Sequence, residues 1–223
     1  MNRAPAIIAI FGASVLFAQE TAAPEAVQLF RGRVVNLVTD PVARLLFLNS
    51  KGKPTAELRA PVAIHFPDRD VSICWDTIAC RLVYLWTGDK FLTTDPETGI
   101  SAPAGESVQI LAEGPIPISP TIGAYTNPRY FGMRESKEKG SSPEFLYSCG
   151  QITIAERFSV SADGKSLQQI FRFENSPADV ILVFPESLQG RLSASAGTTK
   201  GRFVTLKKAE MMTVTVSFPL SAK

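Results

Sequence analysis

Hydrophobic residues in this chain recur mostly at every second position. That is the spacing of a strand with one buried face, not of an amphipathic helix. Over residues 151–158 the alternation places Ile152, Ile154 and Phe158 on one face and Thr153 and Arg157 on the other. Over 165–174, Leu167, Gln169, Phe171 and Phe173 share a face opposite Gln168, Arg172 and Glu174. Residues 211–218 set Met212, Val214, Val216 and Phe218 against Thr213, Thr215 and Ser217. The unbroken apolar run 180–184 reads as a strand covered on both faces. Asp163-Gly164 supplies the positive φ angles of a hairpin turn at 162–165. Further strands are predicted over 27–38, 43–49, 57–66, 71–76, 79–87 and 107–113, with a loop at 49–54. Turn signals every 8–12 residues or so, and about a dozen short strands, predict an all-β protein, a mostly antiparallel β-sandwich.

Two stretches depart from this rhythm. Residues 94–128 hold Pro96, Pro103, Pro115, Pro117, Pro120 and Pro128 and read as a loop-rich crossing. The mixed-charge segment 135–142 reads as a solvated loop. At the N-terminus Arg3 precedes an uncharged run, residues 6–18, of signal-peptide length and too short to span a bilayer. Cleavage is expected after Ala18, or as late as residue 23. That leaves a single β-sandwich domain over 24–223, secreted or periplasmic, with no transmembrane anchor.

Composition narrows the chemistry. With 23 Lys and Arg against 21 Asp and Glu in 223 residues, no nucleic-acid partner is expected. The single histidine means that any Ser-His-Asp relay or His-based zinc site runs through His65. His65 lies among alternating apolar neighbours without a motif, so it reads as a structural histidine at a sheet edge. There is no G-x-S-x-G, no H-E-x-x-H and no phosphate-cradling glycine loop.

The three cysteines become informative once export is expected. If the hairpin over 71–87 centres near Thr77, Cys74 and Cys80 face each other across the ladder. A disulfide there would contribute roughly 2 kcal/mol on the chain-entropy model. Cys149 is then left over on another strand, and a bond from it to either hairpin cysteine stays open. Zinc held by Cys74, Cys80, Cys149 and His65 is argued against by the absence of a cysteine pair two to four residues apart. No C-x-x-C-H occurs, so no haem attachment, no metal and no other cofactor is implied.

Glu156 falls on the apolar face of its strand, where an unpaired carboxylate is costly. It is the one catalytic candidate, as half of a glycosidase acid/base pair, but no second carboxylate is placed by spacing. Otherwise Gln169 or an arginine satisfies it, or it sits at the rim. Tyr125, Tyr130 and Phe131, in the Pro-flanked loop 123–132, are candidate ligand-binding aromatics. Trp75, sharing a face with Val71 and Ile73, and Trp86, sharing one with Leu82 and Tyr84, read as core.

Residues 61–92 resemble a family segment whose stretch F-D-x-x-x-C-R-L-x-Y-x-W-x-G-x-F-L is echoed by Trp75 to Leu92, with Trp75 in place of Phe and one extra residue after Gly88. Arg129-Tyr-Phe-Gly132 and residues 143–158 are similar, in the same order, to the family's F-x-G-Y-x-L … P-x-F-L-Y-x-x-G-x-x-x-x-E-x, most closely over Pro143 to Gly150. Over roughly 60–175 the chain resembles a β-rich module of large exported planctomycete and verrucomicrobial proteins. In them it accompanies c-type cytochrome and sorbosone-dehydrogenase-like domains. The resemblance implies a secreted β module beside redox domains, with an exported cytochrome or dehydrogenase as partner. It carries over no catalytic residue, although Asp76 and Glu156 coincide with the pattern. This chain lacks the haem motif and has no room for a propeller. The expected function is an exported, non-catalytic binding or accessory module, for carbohydrate or a partner redox protein. The alternatives are a carbohydrate-active enzyme using Glu156 and a structural envelope protein.

Overall fold

A computed structural model of the chain describes residues 33–36, 44–48, 54–58, 61–94, 96–97, 100–111, 118–120, 127–138, 140–174, 176, 178–208 and 213–220. The segment expected to be a signal peptide, and Tyr125, lie outside the described residues. In chain order the strands are β1 (Arg33–Asn36), β2 (Arg44–Leu48), β3 (Pro54–Leu58), β4 (Pro61–Phe66), β5 (Val71–Asp76) and β6 (Arg81–Thr87). Next come β7 (Leu92–Thr94), β8 (Ile100–Pro103), β9 (Ser107–Ile110) and β10 (Ile118–Pro120). β11 (Arg129–Arg134), β12 (Glu144–Cys149), β13 (Ile152–Val160), β14 (Ser166–Glu174) and β15 (Val180–Val183) follow. The last are β16 (Ser193–Ala194), β17 (Thr198–Lys200), β18 (Phe203–Leu206) and β19 (Thr213–Pro219). Two 3-10 turns, Pro67–Arg69 and Glu186–Leu188, join β4 to β5 and β15 to β16. No helix among the described residues is long and apolar enough to cross a membrane.

The protein is all-β and mostly antiparallel, with strands more finely divided than their hydrophobic pattern predicts. Proline explains part of the division. Pro61 opens β4, and Pro103 and Pro120 are the last residues of β8 and β10, positions where a missing N–H costs the ladder least. The Pro-rich crossing is therefore a set of short strands as well as loops. The described strands form four sheets, ordered β1-β4-β5-β6-β9, β11-β12-β13-β14-β19-β16, β10-β15-β18-β17 and β3-β2-β8-β7. The β2–β8 contact is the one parallel pairing among the described strands.

Alternation decides which residues meet between sheets. Ile152, Ile154, Glu156 and Phe158 of β13 point inward, as do Leu167, Gln169, Phe171 and Phe173 of β14 and Val214, Val216 and Phe218 of β19. They meet Val62, Ile64 and Phe66 of β4 and Val71, Ile73 and Trp75 of β5 in one core, which Val180, Leu182, Val204 and Leu206 extend. The five-stranded sheet is buried on its other face too. There Ala63, Cys74, Val83, Tyr84, Trp86 and Phe91 form a second, smaller core.

A β-bulge in β6 changes which of its residues face each core. Cys74 pairs with Tyr84 but Trp75 pairs with Leu82, leaving Val83 as an extra residue. Leu82 is thereby turned to the main core, away from Tyr84 and Trp86, which corrects the common face expected for these three. The loop 135–142 is also less solvated than its charge suggests. Glu135, Lys137 and Glu138 are exposed, but Ser141 and Ser142 are buried. The Ser142 N–H donates to the Phe158 carbonyl at 2.7 Å, and the Phe158 N–H donates to Ser142 Oγ at 2.8 Å.

Candidate functional site

Glu156 is the group whose placement most constrains function. On the sheet, Phe145 and Phe171 are its cross-strand partners. Tyr147 lies two residues from Phe145 and Gln169 two from Phe171, so both are same-face diagonal neighbours within reach of a long side chain. Tyr147 Oη donates to Glu156 Oε2 at 2.7 Å, and Gln169 Nε2 donates to Oε1 at 2.7 Å. The third donor crosses the core, where Trp75 Nε1 of β5 donates to Oε1 at 3.2 Å. Trp75 is held for this by stacking on Phe145 at 4.2 Å between centroids, with Tyr130 and Tyr147 tilted against it at 5.5 and 5.7 Å.

The Glu156 side chain is enclosed, with 0% exposure. Burial raises its pKa to about 7, and the three donors pull the other way without cancelling it. Burial and the neighbouring carboxylate push the Tyr147 hydroxyl well above its ordinary range. A glycosidase acid must reach a sugar oxygen, and here both carboxylate oxygens are engaged inside the core. Asp76, the other carboxylate of the matched pattern, accepts the Ile78 N–H at 3.0 Å and so shapes the β5–β6 turn.

The expected Cys74–Cys80 staple is corrected by the hairpin register. Asp76 pairs with Arg81, so the hairpin centres between Ile78 and Ala79, and the bulge at Val83 sets Tyr84 opposite Cys74. Cys74 lies in the smaller core, on the opposite side of the sheet from Cys80. Cys80 occupies the turn with φ 47°, its thiol donating to the Thr77 carbonyl at 3.5 Å. All three cysteines are buried, and none is in a disulfide. Burial raises the thiol pKa of Cys74, and raises that of Cys80 far above the ordinary value, aided by Glu156, Asp76 and Cys149.

His65 shares a hydrogen bond of 2.8 Å with Ser72 Oγ, its cross-strand partner, and packs on Phe91 at 5.5 Å. It sits on β4, between β1 and β5, so it is an interior-strand residue and not the sheet-edge histidine expected. Among the described residues no group of three or more His, Cys, Asp and Glu side chains is arranged to hold a metal ion.

The structure separates the candidate ligand-binding aromatics. Tyr130 packs inward on Trp75, and burial raises its hydroxyl pKa to about 12. Phe131 points outward, 55% exposed, with the Arg129 guanidinium 5.8 Å from its ring centre. The pairing Tyr130↔Tyr147 is followed by Gly132↔Leu146, so Phe131 is the extra residue of a bulge. The same outer face carries an ion cluster around Glu144. Arg134 Nε lies 2.6 Å away, and Arg157 and Arg172 lie 3.5 Å away; Arg157 also pairs with Glu138.

Gln169 as a partner of Glu156 was legible from alternation. Tyr147 was passed over, though the pattern Phe145, Tyr147, Cys149 against Glu144, Leu146, Ser148 carries the signal. Comparison with protein-family models, with curated proteins and with solved structures found no match to this chain.

Proposed function

We propose that the chain is an exported, non-catalytic binding or accessory module that docks a protein partner through strand β11. The observation that carries this reading is Phe131. It is a large apolar side chain held out on a bulge, with Arg129 over its ring, on a strand with no second partner among the described strands. Aromatic and arginine side chains are the residues that most often dominate protein interfaces. An edge strand also offers unpaired backbone groups to an incoming segment. Export and a redox protein as partner rest on the resemblance and on the leader-like N-terminus. Glu156 supports the non-catalytic side of the reading, since its oxygens are taken by three buried donors. Protein is favoured over carbohydrate because, of the two described candidate aromatics, Tyr130 is turned into the core and Phe131 alone is presented outward.

The test is surface plasmon resonance of the wild-type chain and its Phe131→Ala and Arg129→Ala variants. The analytes are purified exported c-type cytochromes and dehydrogenases from the same cells, with a glycan panel in parallel. Saturable binding of one such protein, weakened at least about tenfold by Phe131→Ala, is expected for an interface anchor. Binding indifferent to Phe131→Ala overturns the assignment to β11. A glycan bound in place of protein supports the carbohydrate alternative, and no binding in either arm favours a structural envelope role.

A further inference from the structure

We propose that Cys80 and Cys149 are a disulfide-forming pair that ties the five-stranded sheet to the six-stranded sheet, with Cys74 excluded. Each of the two contributes a thiol to the same core from opposite sheets, Cys80 from the β5–β6 turn and Cys149 from the last residue of β12. Trp75, just before that turn, stacks on Phe145 and touches Tyr147, which share the inward face of β12 with Cys149. The turn and this strand are therefore neighbours across the core. Trp75, Cys80, Phe145, Tyr147 and Cys149 all belong to one buried cluster. Cys74 is separated from them by the sheet itself.

The chemistry is thiol–disulfide exchange with a low-molecular-weight disulfide such as oxidised glutathione. One cysteine thiolate attacks a glutathione sulfur, forming a mixed disulfide and releasing one glutathione. The second thiolate then displaces the other glutathione. Two protein sulfurs are oxidised and two glutathione sulfurs reduced, and the two thiol protons end on the released glutathiones. Burial disfavours the Cys80 thiolate, so the closed protein exchanges slowly and the pair forms readily while the core is assembling. The inference is independent of the β11 docking surface, and either can fail without the other.

The experiment is refolding of the full chain in a glutathione redox buffer, then alkylation under denaturing conditions and non-reducing peptide mass spectrometry. Near-UV circular dichroism selects the native fraction. The expected product links the Cys80 and Cys149 peptides, with Cys74 alkylated. The Cys74→Ala variant gives the same link in the same yield, and Cys149→Ala gives no intramolecular link. Diamide oxidation of natively purified protein reads the same pairing without refolding. A link involving Cys74 in either arm, or three alkylated cysteines in native protein refolded in the redox buffer, overturns the proposal.

Discussion

Replacing Glu156 by glutamine tests the buried cluster directly. The wild-type carboxyl has an ordinary pKa of 4.5 when the chain is unfolded and about 7 inside the core. Between these values the folded state holds a proton that the unfolded state has lost. The group therefore contributes its full stabilisation below pH 4.5 and loses it as pH rises through about 7. A separation of about 2.5 pKa units corresponds to roughly 3 kcal/mol over the whole range, of which roughly 2–3 kcal/mol falls between pH 5 and pH 8. Glutamine keeps the shape, accepts from Trp75 or Gln169 through its oxygen, and has Tyr147 Oη as an acceptor for its amide. Glu156→Gln should thus be close to wild type at pH 5 and more stable than wild type at pH 8 by roughly 2–3 kcal/mol.

The assay is urea denaturation followed by fluorescence of the two tryptophans, one of which donates to Glu156. Other groups titrate in the same window, so the quantity read is the difference between the two proteins at each pH. Parallel wild-type and variant curves from pH 5 to pH 8 would refute the reasoning, because the pH dependence would then not pass through Glu156. Glu156→Ala is the contrasting case. It leaves the Tyr147 hydroxyl, the Gln169 amide and the Trp75 N–H unpaired in a cavity, and should cost about 3–5 kcal/mol at pH 5, a loss that shrinks by roughly 2–3 kcal/mol by pH 8 because alanine does not titrate.

Further outcomes follow from other parts of the molecule. A Cys80–Cys149 bond would close a loop of roughly 70 residues and raise the urea midpoint by an amount corresponding to about 4 kcal/mol, lost on adding dithiothreitol. Gly105→Ala should lower the melting temperature by about 4–8 °C for roughly 2 kcal/mol, because its Cβ would press on the Thr87 carbonyl and the Trp86 ring. Glu144→Ala removes the carboxylate shared by Arg134, Arg157 and Arg172, and should cost about 1–3 kcal/mol in urea denaturation. That loss should shrink as salt is raised, since Arg134 and Arg172 are partly exposed while Arg157 is buried.

What alternation could reach, it reached well. Strands β13, β14 and β19 were legible because a period of two assigns each residue to a face without knowledge of the partner strand. That sufficed to put Glu156 on the inward face of its strand and to place Gln169 among its candidate partners, beside an arginine or a rim position. The cysteines were misread for a reason local to β6. One extra residue at Val83 and a turn centred past Thr77 move Cys74 to one face and Cys80 to the turn, and no hydrophobic pattern marks such a bulge. Trp75 shows the other limit. Its burial followed from its strand face, but its N–H meets a carboxylate 81 residues away. Which sheet covers which is a tertiary fact, fixed by how whole faces pack.

The three donors to Glu156 also explain why a costly buried carboxylate suits this position. They come from β5, β12 and β14, on two different sheets. Slipping β13 by one residue would carry Glu156 to the outer face, beside the ion cluster at Glu144, and bring Ala155 or Arg157 inward. Each donor would then be buried without an acceptor, at about 1–3 kcal/mol apiece. Slipping the five-stranded sheet over the other would strand Trp75 Nε1 alone. The correct alignment is the one in which all three are satisfied, whereas apolar contacts at the same positions would tolerate displacement at lower cost. On this view Glu156→Gln and Glu156→Leu part company. The amide keeps a group that can accept and donate, and with it a single sheet alignment. Leucine matches the burial but leaves the three donors without an acceptor. Slowed refolding or a second native-like species in Glu156→Leu, absent in Glu156→Gln, is the expected sign that the carboxylate sets alignment as well as stability. Identical single-phase refolding of the two variants would leave the cluster with stability alone.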